Sequence, residues 1–278
     1  MLARMVRSWR VSEISHLECF RAVGLIHEYG RHSHPAWAIG VIDEGIGGIG
    51  YRGSSERIGP GELIAINPDE VHTGYAVQRD GVSYRMLYIG HELVKDSVPA
   101  AVGTPAFPEV RIQDPILGLR LRRLCRSLEL PLPCLIIESH LLTILGALFM
   151  RHTRMDAGHQ TGRESRHVAL IQEYLRANLR RNVRLNELAN LTGLSKAHVI
   201  RSFHRLVGMP PYEWLLQLRI EEARNCLQKG VPIAELATEL GFADQSHFHR
   251  RFKLITGMTP AVYAEGHYRS RQGNRPPR

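Results

Sequence analysis

LNELANLTGLSKAHVIRSFHRLVGMPPYEW (residues 185–214) and IAELATELGFADQSHFHRRFKLITGMTPAVY (residues 233–263) are two copies of one helical unit. Each runs through Glu-Leu-Ala, a Gly followed by an apolar residue, a polar residue able to cap a helix, a Phe eight positions after that cap, and a closing Gly and Pro. The Glu-Leu-Ala triplets that begin at Glu187 and Glu235 lie 48 residues apart, and Phe203 and Phe252 lie 49 apart. So constant an offset marks an internal repeat. Gly193 and Gly241 stand where a helix closes in the left-handed conformation. Ser195 and Asp244 each bring an oxygen that can accept from the free amides opening the next helix. Leu194 and Phe242 are then the apolar anchors of the turns. Pro232 precedes the second copy, at a helix start where its missing amide is not needed. The prediction is helix, tight turn, helix, made twice.

The second helix of each copy has two chemically distinct faces. In the first copy Val199, Phe203 and Leu206 recur at helical spacing and are predicted to point inward. Lys196, Ala197, His198, Arg201 and Arg205 take the other side. Short or forked side chains near the N-terminal end of such a helix suit the major groove of duplex DNA. Arg201 can donate twice to guanine, His198 can donate once, and Ala197 can touch a thymine methyl. Lys196 and Arg205 are assigned to phosphates. In the second copy Phe248 and Phe252 point inward, while Gln245, Ser246, His249 and Arg250 point outward. Gln245 suits adenine and Arg250 suits guanine; Arg251 and Lys253 flank that face as phosphate contacts. Between the copies, PPYEWLLQLRIEEARNCLQ (residues 210–228) sets Trp214, Leu215, Leu218, Ala223 and Leu227 at helical spacing. A helix over 211–228 would be about 27 Å long at ~1.5 Å per residue. It could hold two recognition helices roughly one DNA turn, about 34 Å, apart.

Charge points the same way. The formal net charge of +9 resides in the last part of the chain, where residues 165–278 hold 18 Lys+Arg against 9 Asp+Glu; the remainder is balanced at 18 of each. A domain so basic attracts a polyanion over long range. No apolar run approaches the roughly 18 residues that span a bilayer. The opening MLARMVRSWR (residues 1–10) has no apolar stretch before a small-residue cleavage site, so no secretion signal is expected. It reads either as a basic arm or as an unstructured leader. Cys19, Cys125, Cys134 and Cys226 show neither a disulfide framework nor zinc-ligand spacing, and buried thiols in a reducing cytoplasm are expected.

Upstream, the period is different. AIGVI, GGIGYR, ELIAI and VSYRMLYI fall between residues 38 and 89, separated by Glu-Gly, Arg-Gly, Pro-Gly, Pro-Asp and Asp-Gly breaks. That is the pattern of a compact antiparallel sandwich or small barrel. After Pro115, Leu117, Leu121, Leu124, Cys125 and Leu128 recur at helical spacing; Pro131 and Pro133 interrupt, and a second apolar helix runs from Cys134 to about Met150. The two helices could cover the sheet or pair between subunits. The polar DAGHQTGRES (residues 156–165) is read as a linker. The expected organisation is a β domain with a helical hairpin over 1–155, the linker, an all-α domain with two helix-turn-helix units over 166–264, and a disordered basic tail over 265–278.

The ordered string GFADQSHFHRRFK with the later GMTP (residues 241–253 and 257–260) resembles the AraC/XylS family of transcription regulators. The first copy is similar at Leu188-Ala189, Gly193-Leu194-Ser195 and Arg201-Ser202-Phe203. Departures are Arg184, where the family offers a Ser or Thr cap, and Ala264, where an Arg is common. The resemblance implies two helix-turn-helix units in adjacent major grooves, joined by a long helix. RHSHPAWAIGVIDEG (31–45) and GPGELIAINPDEVHTG (59–74) resemble the cupin-like sensor domain of such regulators. In cupins two histidines so spaced, a carboxylate after them and a later histidine hold a metal. His32 and His34 would share a strand face, and His72 follows 38 residues after His34. The carboxylate position falls near Trp37 or Ala38, neither of which binds metal. The adopted reading has no metal, no cofactor and no catalytic residues. His32, His34, Trp37, Arg52 and His72 then line a pocket for a small-molecule effector. The competing reading is a metal-dependent cupin enzyme fused to a DNA-binding domain. Expected partners are double-stranded DNA, the effector, a second copy paired through residues 115–150, and RNA polymerase, with no membrane.

Overall fold

The computed structural model describes residues 5–11, 14–97, 104–130, 134–156 and 163–271. Six positions of the expected linker, 157–162, and the last seven residues lie outside that range. Among the described residues the chain divides into two compact units, one of residues 5–29, 34–156 and 265–271 and the other of residues 30–33 and 163–264.

The strands in chain order are β1 (Met5–Arg10), β2 (Leu17–Leu25), β3 (Tyr29–His32), β4 (Trp37–Glu44), β5 (Gly47–Tyr51), β6 (Ser54–Ile58), β7 (Leu63–Ile66), β8 (His72–Ala76) and β9 (Val82–Ile89), all in the first unit except β3 from Gly30 on. There follow α1 (His91–Ser97), β10 (Thr104–Ala106), β11 (Arg111–Ile112), α2 (Pro115–Ser127), α3 (Cys134–His152) and β12 (Arg154–Asp156). Six strands form one sheet in the order β1-β2-β9-β4-β7-β11, four form a second in the order β3-β8-β5-β6, and β10 pairs with β12. β4 runs antiparallel to both neighbours, Gly40 lying opposite Met86 on one side and Ile64 on the other. Every residue from Trp37 to Ile42 is buried, as a central strand covered on both faces requires. On one face Ile39, Val41, Leu63, Leu87 and Ile89 join Leu117, Leu121 and Leu124 of α2 and Leu141, Leu145 and Phe149 of α3 in one core. Over the other face lies β5, where a side-chain carbon on Gly47 would sit 3.4 Å from Ile42. The helices therefore cover the sheet, and the β domain is a sandwich backed by a helical layer. Asp114 caps α2 by accepting from the Leu117 amide at 3.0 Å. Gly118 admits the close approach of α2 to the turn before β7, since a Cβ there would meet the Gly61 carbonyl at 2.2 Å.

An ionic group ties this layer to the sheet. Arg85 of β9 donates to Asp43 at 2.8 Å and to Glu129; Arg21 reaches Glu129 at 2.8 Å, and Arg122 of α2 reaches Asp43 at 3.1 Å. The basic opening segment is neither an arm nor a leader from Met5 onward. β1 pairs along its length with β2, buries Trp9 in the core, and lets Ser8 donate to buried Glu18 at 2.7 Å.

The second unit is helical: α4 (Arg163–Ala177), α5 (Leu185–Thr192), α6 (Lys196–Val207), α7 (Pro211–Lys229), α8 (Ile233–Glu239), α9 (Gln245–Thr256) and the start of α10 (Pro260–Arg271), whose residues from Glu265 belong to the first unit. The segment expected as a disordered tail therefore begins inside α10, which continues to Arg271. Phe203 and Trp214 meet edge-on with ring centres 5.8 Å apart, and Phe248, Phe252 and Tyr263 form a run of such contacts in the second half. The two copies share one turn. Gly193 and Gly241 have φ of 68° and 71°, and the amides after them donate to Ala189 and Ala237, at 3.2 and 2.9 Å.

Candidate nucleic-acid interface and effector site

Both candidate recognition helices start as the sequence dictates. Ser195 Oγ accepts from the His198 amide at 3.3 Å, and the Asp244 carboxylate accepts from the His247 amide at 2.6 Å. Each satisfies one of the amides that a helix start leaves without a helical partner. Where Arg184 replaces a cap residue, the start of α5 is held from within: the Glu187 carboxylate accepts from the Arg184 amide at 2.7 Å. Arg181, that amide and Tyr174 hold the Glu187 carboxyl down at about 2.

The side chains sort by face. In α6, Val199, Ser202 and Phe203 are buried, and Lys196, Ala197, His198, Arg201 and Arg205 are exposed. Leu206, predicted to point inward, is 47% exposed in the last turn of α6. In α9, Phe248 and Phe252 are buried, while Gln245, Ser246, His249, Arg250 and Lys253 are exposed. Arg251 is half-buried and donates to Glu213 of α7 at 3.1 Å. Arg201 and Arg250 enter no ion pair among the described residues.

Two residues not singled out in the sequence act on this surface. Glu164, at the start of α4, pairs with Arg205 and lies 3.7 Å from His198. No spacing in the sequence signals that contact, because it joins helices some forty residues apart. Arg219 of α7 is buried and donates to the backbone carbonyls of Leu179 and Arg181 at 2.8 Å each, and to that of Gly241. A Cβ on Gly241 would meet this guanidinium at 2.8 Å, so that position needs glycine for space as well as for its positive φ.

In the β unit, two of the five expected effector residues come together: the rings of buried His34 and His72 meet edge-on with centres 4.9 Å apart. His32 is also buried. Each ring is oriented by a backbone carbonyl two residues away: Nδ1 of His32 lies 2.8 Å from Gly30 O, that of His34 2.9 Å from Ala36 O, and that of His72 2.9 Å from Glu70 O. A hydrogen bond from the Asp69 amide to the His34 carbonyl, 2.8 Å long, ties the two histidine-bearing segments together. Burial, and secondarily His34, pushes His72 down to about 3. Trp37 and Arg52 stand apart from the group. Trp37 is fully buried between Phe149 and His91, with Nε1 donating to Pro105 O. Arg52 stacks over Tyr51 and is engaged by the Glu70 carboxylate.

Paired helix-turn-helix units in a chain that also carries a ligand-binding β domain define a DNA-binding transcription regulator. Models for a helix-turn-helix domain and for an AraC-like ligand binding domain match residues 188–266 and 16–145, respectively. The chain belongs to the AraC family. It is 28% identical over 235 residues to the HTH-type transcriptional regulator YbfI of Bacillus subtilis, covering 84% of this chain and 86% of that one. The transcriptional activator AarP of Providencia stuartii is 32% identical over 97 residues, 34% of this chain and 72% of AarP. Among solved structures, unsaturated fatty acid-bound ToxT from Vibrio cholerae superposes with a TM-score of 0.58 at 13% identity, over 95% of each chain. That likeness is one of fold. No described helix is long and apolar enough to cross a membrane.

Proposed function

We propose that α6 and α9 enter two successive major grooves on one face of duplex DNA, and that an effector held in the β unit governs that binding. The observation that carries the reading is the sorting of side chains on both helices: aromatic anchors are buried and a basic, hydrogen-bonding face is left to solvent. Arg201, His198 and Ala197 on α6, and Gln245, Ser246, His249 and Arg250 on α9, read base edges. Lys196, Arg205, Arg251 and Lys253 take phosphates. α7, with 19 residues, is roughly 28 Å long, a spacer of the right order for one DNA turn. The protein works without catalysis, in the cytoplasm, as a homodimer, with RNA polymerase as its further contact. Ile116, Leu119, Ile136, Leu142 and Met150, all exposed on α2 and α3, support the dimer.

Selection of random duplexes by the full chain at fixed salt tests the reading. Two short conserved elements whose centres lie about ten base pairs apart are expected. Enrichment of a single element, or of none, would remove the two-groove arrangement.

A further inference from the structure

The helix-covered face of the larger sheet carries a row of like charges. In the antiparallel register Arg7 of β1 lies opposite Arg21 of β2, and Arg21 lies opposite Arg85 of β9. Residues so paired project from one face. It is the face under the helices, because Trp9, Cys19 and Leu87, two positions along the same three strands, belong to the core that α2 and α3 cover. Like charges directly opposite one another destabilise a sheet, their Cβ atoms standing only about 4.5–5.5 Å apart. Arg122 adds a fourth guanidinium from α2, and against the four stand two carboxylates, Asp43 and Glu129. Both are engaged by Arg85; Arg122 shares Asp43, and Arg21 shares Glu129. Arg7 enters no ion pair among the described residues; its guanidinium lies over the Trp9 ring, 5.0 Å from the centre. Arg21 Nε is buried with no hydrogen-bond partner among the described residues. The outer end of the row is therefore short of negative charge, and both of its arginines are half-buried.

We infer that Arg7 and Arg21 bind the oxyanion group, a carboxylate or a phosphate, of a small molecule. A guanidinium is a planar fork of donors that matches either group with two parallel hydrogen bonds and keeps its charge throughout the physiological range. Two such forks on directly opposed residues can close on one oxyanion. Their half-buried setting strengthens each bond relative to water and still leaves a path of entry. Arg85, buried behind them and held by both carboxylates, adds its field without giving up a partner. β1 is the edge strand of the larger sheet, so an anion here turns the repulsion between β1 and β2 into a bridge and fastens the edge. The larger sheet stands between this face and β5 of the smaller sheet, which makes the site a second one in the β unit, separate from the effector residues proposed on the smaller sheet.

This inference rests neither on the DNA reading nor on those effector residues, and its test uses no DNA. The full chain is titrated calorimetrically with inorganic phosphate and, separately, with succinate, each against sodium chloride at matched ionic strength. Saturable binding of one or both probes is expected, the tighter one naming the group. Arg7→Gln and Arg21→Gln should each weaken that binding about tenfold or more, the loss of one charge-assisted hydrogen bond. Exposed Arg57→Gln, on β6, should leave it unchanged. Hydrogen exchange of the unmodified chain keeps the test independent of whether the variants fold: the amides of residues 5–10 should exchange more slowly in the binding anion than in chloride. Absence of saturable binding for both probes would overturn the site. So would binding that folded Arg7→Gln retains in full, which would assign the anion to another basic surface, or protection that leaves residues 5–10 untouched.

Discussion

Glu164 should restrain the DNA-binding surface, and replacing it with Gln should tighten binding without changing sequence preference. The carboxylate pairs with Arg205, so it occupies one proposed phosphate contact. The Arg205 side chain is 64% exposed and that of Glu164 36%, which places the pair among surface ion pairs of about 0.2–1 kcal/mol. Freeing Arg205 therefore raises affinity by a factor of roughly 1.4–5. One added phosphate contact also steepens the dependence of log affinity on log salt by about 0.9. The assay is fluorescence anisotropy of the full chain on a selected duplex and on an unrelated one, across a salt series. The gain should appear equally on both duplexes, and should vanish when Glu164→Gln is made on Arg205→Ala, as a double-mutant cycle requires of a coupled pair. An unchanged salt slope, or a gain that survives the loss of Arg205, would refute the reasoning.

Arg201→Ala and Arg250→Ala should each relax preference in a different half of the site, by about 1–3 kcal/mol of discrimination, read by repeating the duplex selection; loss at the same base pairs in both would contradict it. Lys196→Ala should weaken selected and unrelated duplexes alike, because a phosphate contact carries no sequence information. Arg85→Met should lower stability by about 3 kcal/mol, the low end for a broken buried pair, because Asp43 and Glu129 keep Arg122 and Arg21; a urea midpoint shift worth less than about 1 kcal/mol would show that the ionic group is dispensable. The Leu117 amide, with help from His152 and Arg151, holds the Asp114 carboxyl below the usual aspartate range. Its folded value being depressed, its contribution is present above the unfolded value and is lost as pH falls through the folded one. Asp114→Ala, which removes a cap worth about 1 kcal/mol, should therefore destabilise the neutral protein and flatten its acid unfolding curve in that range.

The helical half was legible because each copy repeats its own punctuation. A capping Ser195 or Asp244, a turn glycine and a phenylalanine eight residues on fix the helix start, the turn and the inward face together, and the structure places all three as read. The β half was legible only where strands alternate or run apolar. β4, β7 and β9 were visible as AIGVI, ELIAI and VSYRMLYI. β6, SSERI, is largely exposed and β8, HTGYA, largely half-exposed in the smaller sheet, and neither carries an apolar signal. β1 hid in a basic opening segment because the edge of a sheet tolerates charge. Trp37, expected at the effector, reads ambiguously for a related reason. On a strand buried along both faces, alternation disappears, and an aromatic bound for the core reads the same as one facing a ligand. The histidines were picked out by the resemblance to cupins, and the hydrogen bonds of their Nδ1 atoms run to backbone carbonyls, which no side-chain pattern reports.

The three carbonyls gathered by Arg219 have a thermodynamic consequence for recognition. They belong to the stretch after α4 and to the turn before α9, so one buried side chain on α7 fixes the stage on which α9 is presented. A flexible tandem reader gives up orientational freedom when its second module docks, and its affinity falls by that amount. Here the ordering is completed during folding, and the DNA complex has less of it left to supply. The same rigidity narrows choice. If α6 and α9 enter successive grooves as proposed, a site whose two elements are out of phase by half a turn could not be reached by bending the reader, and the distance between elements would be specified as strictly as the bases within them.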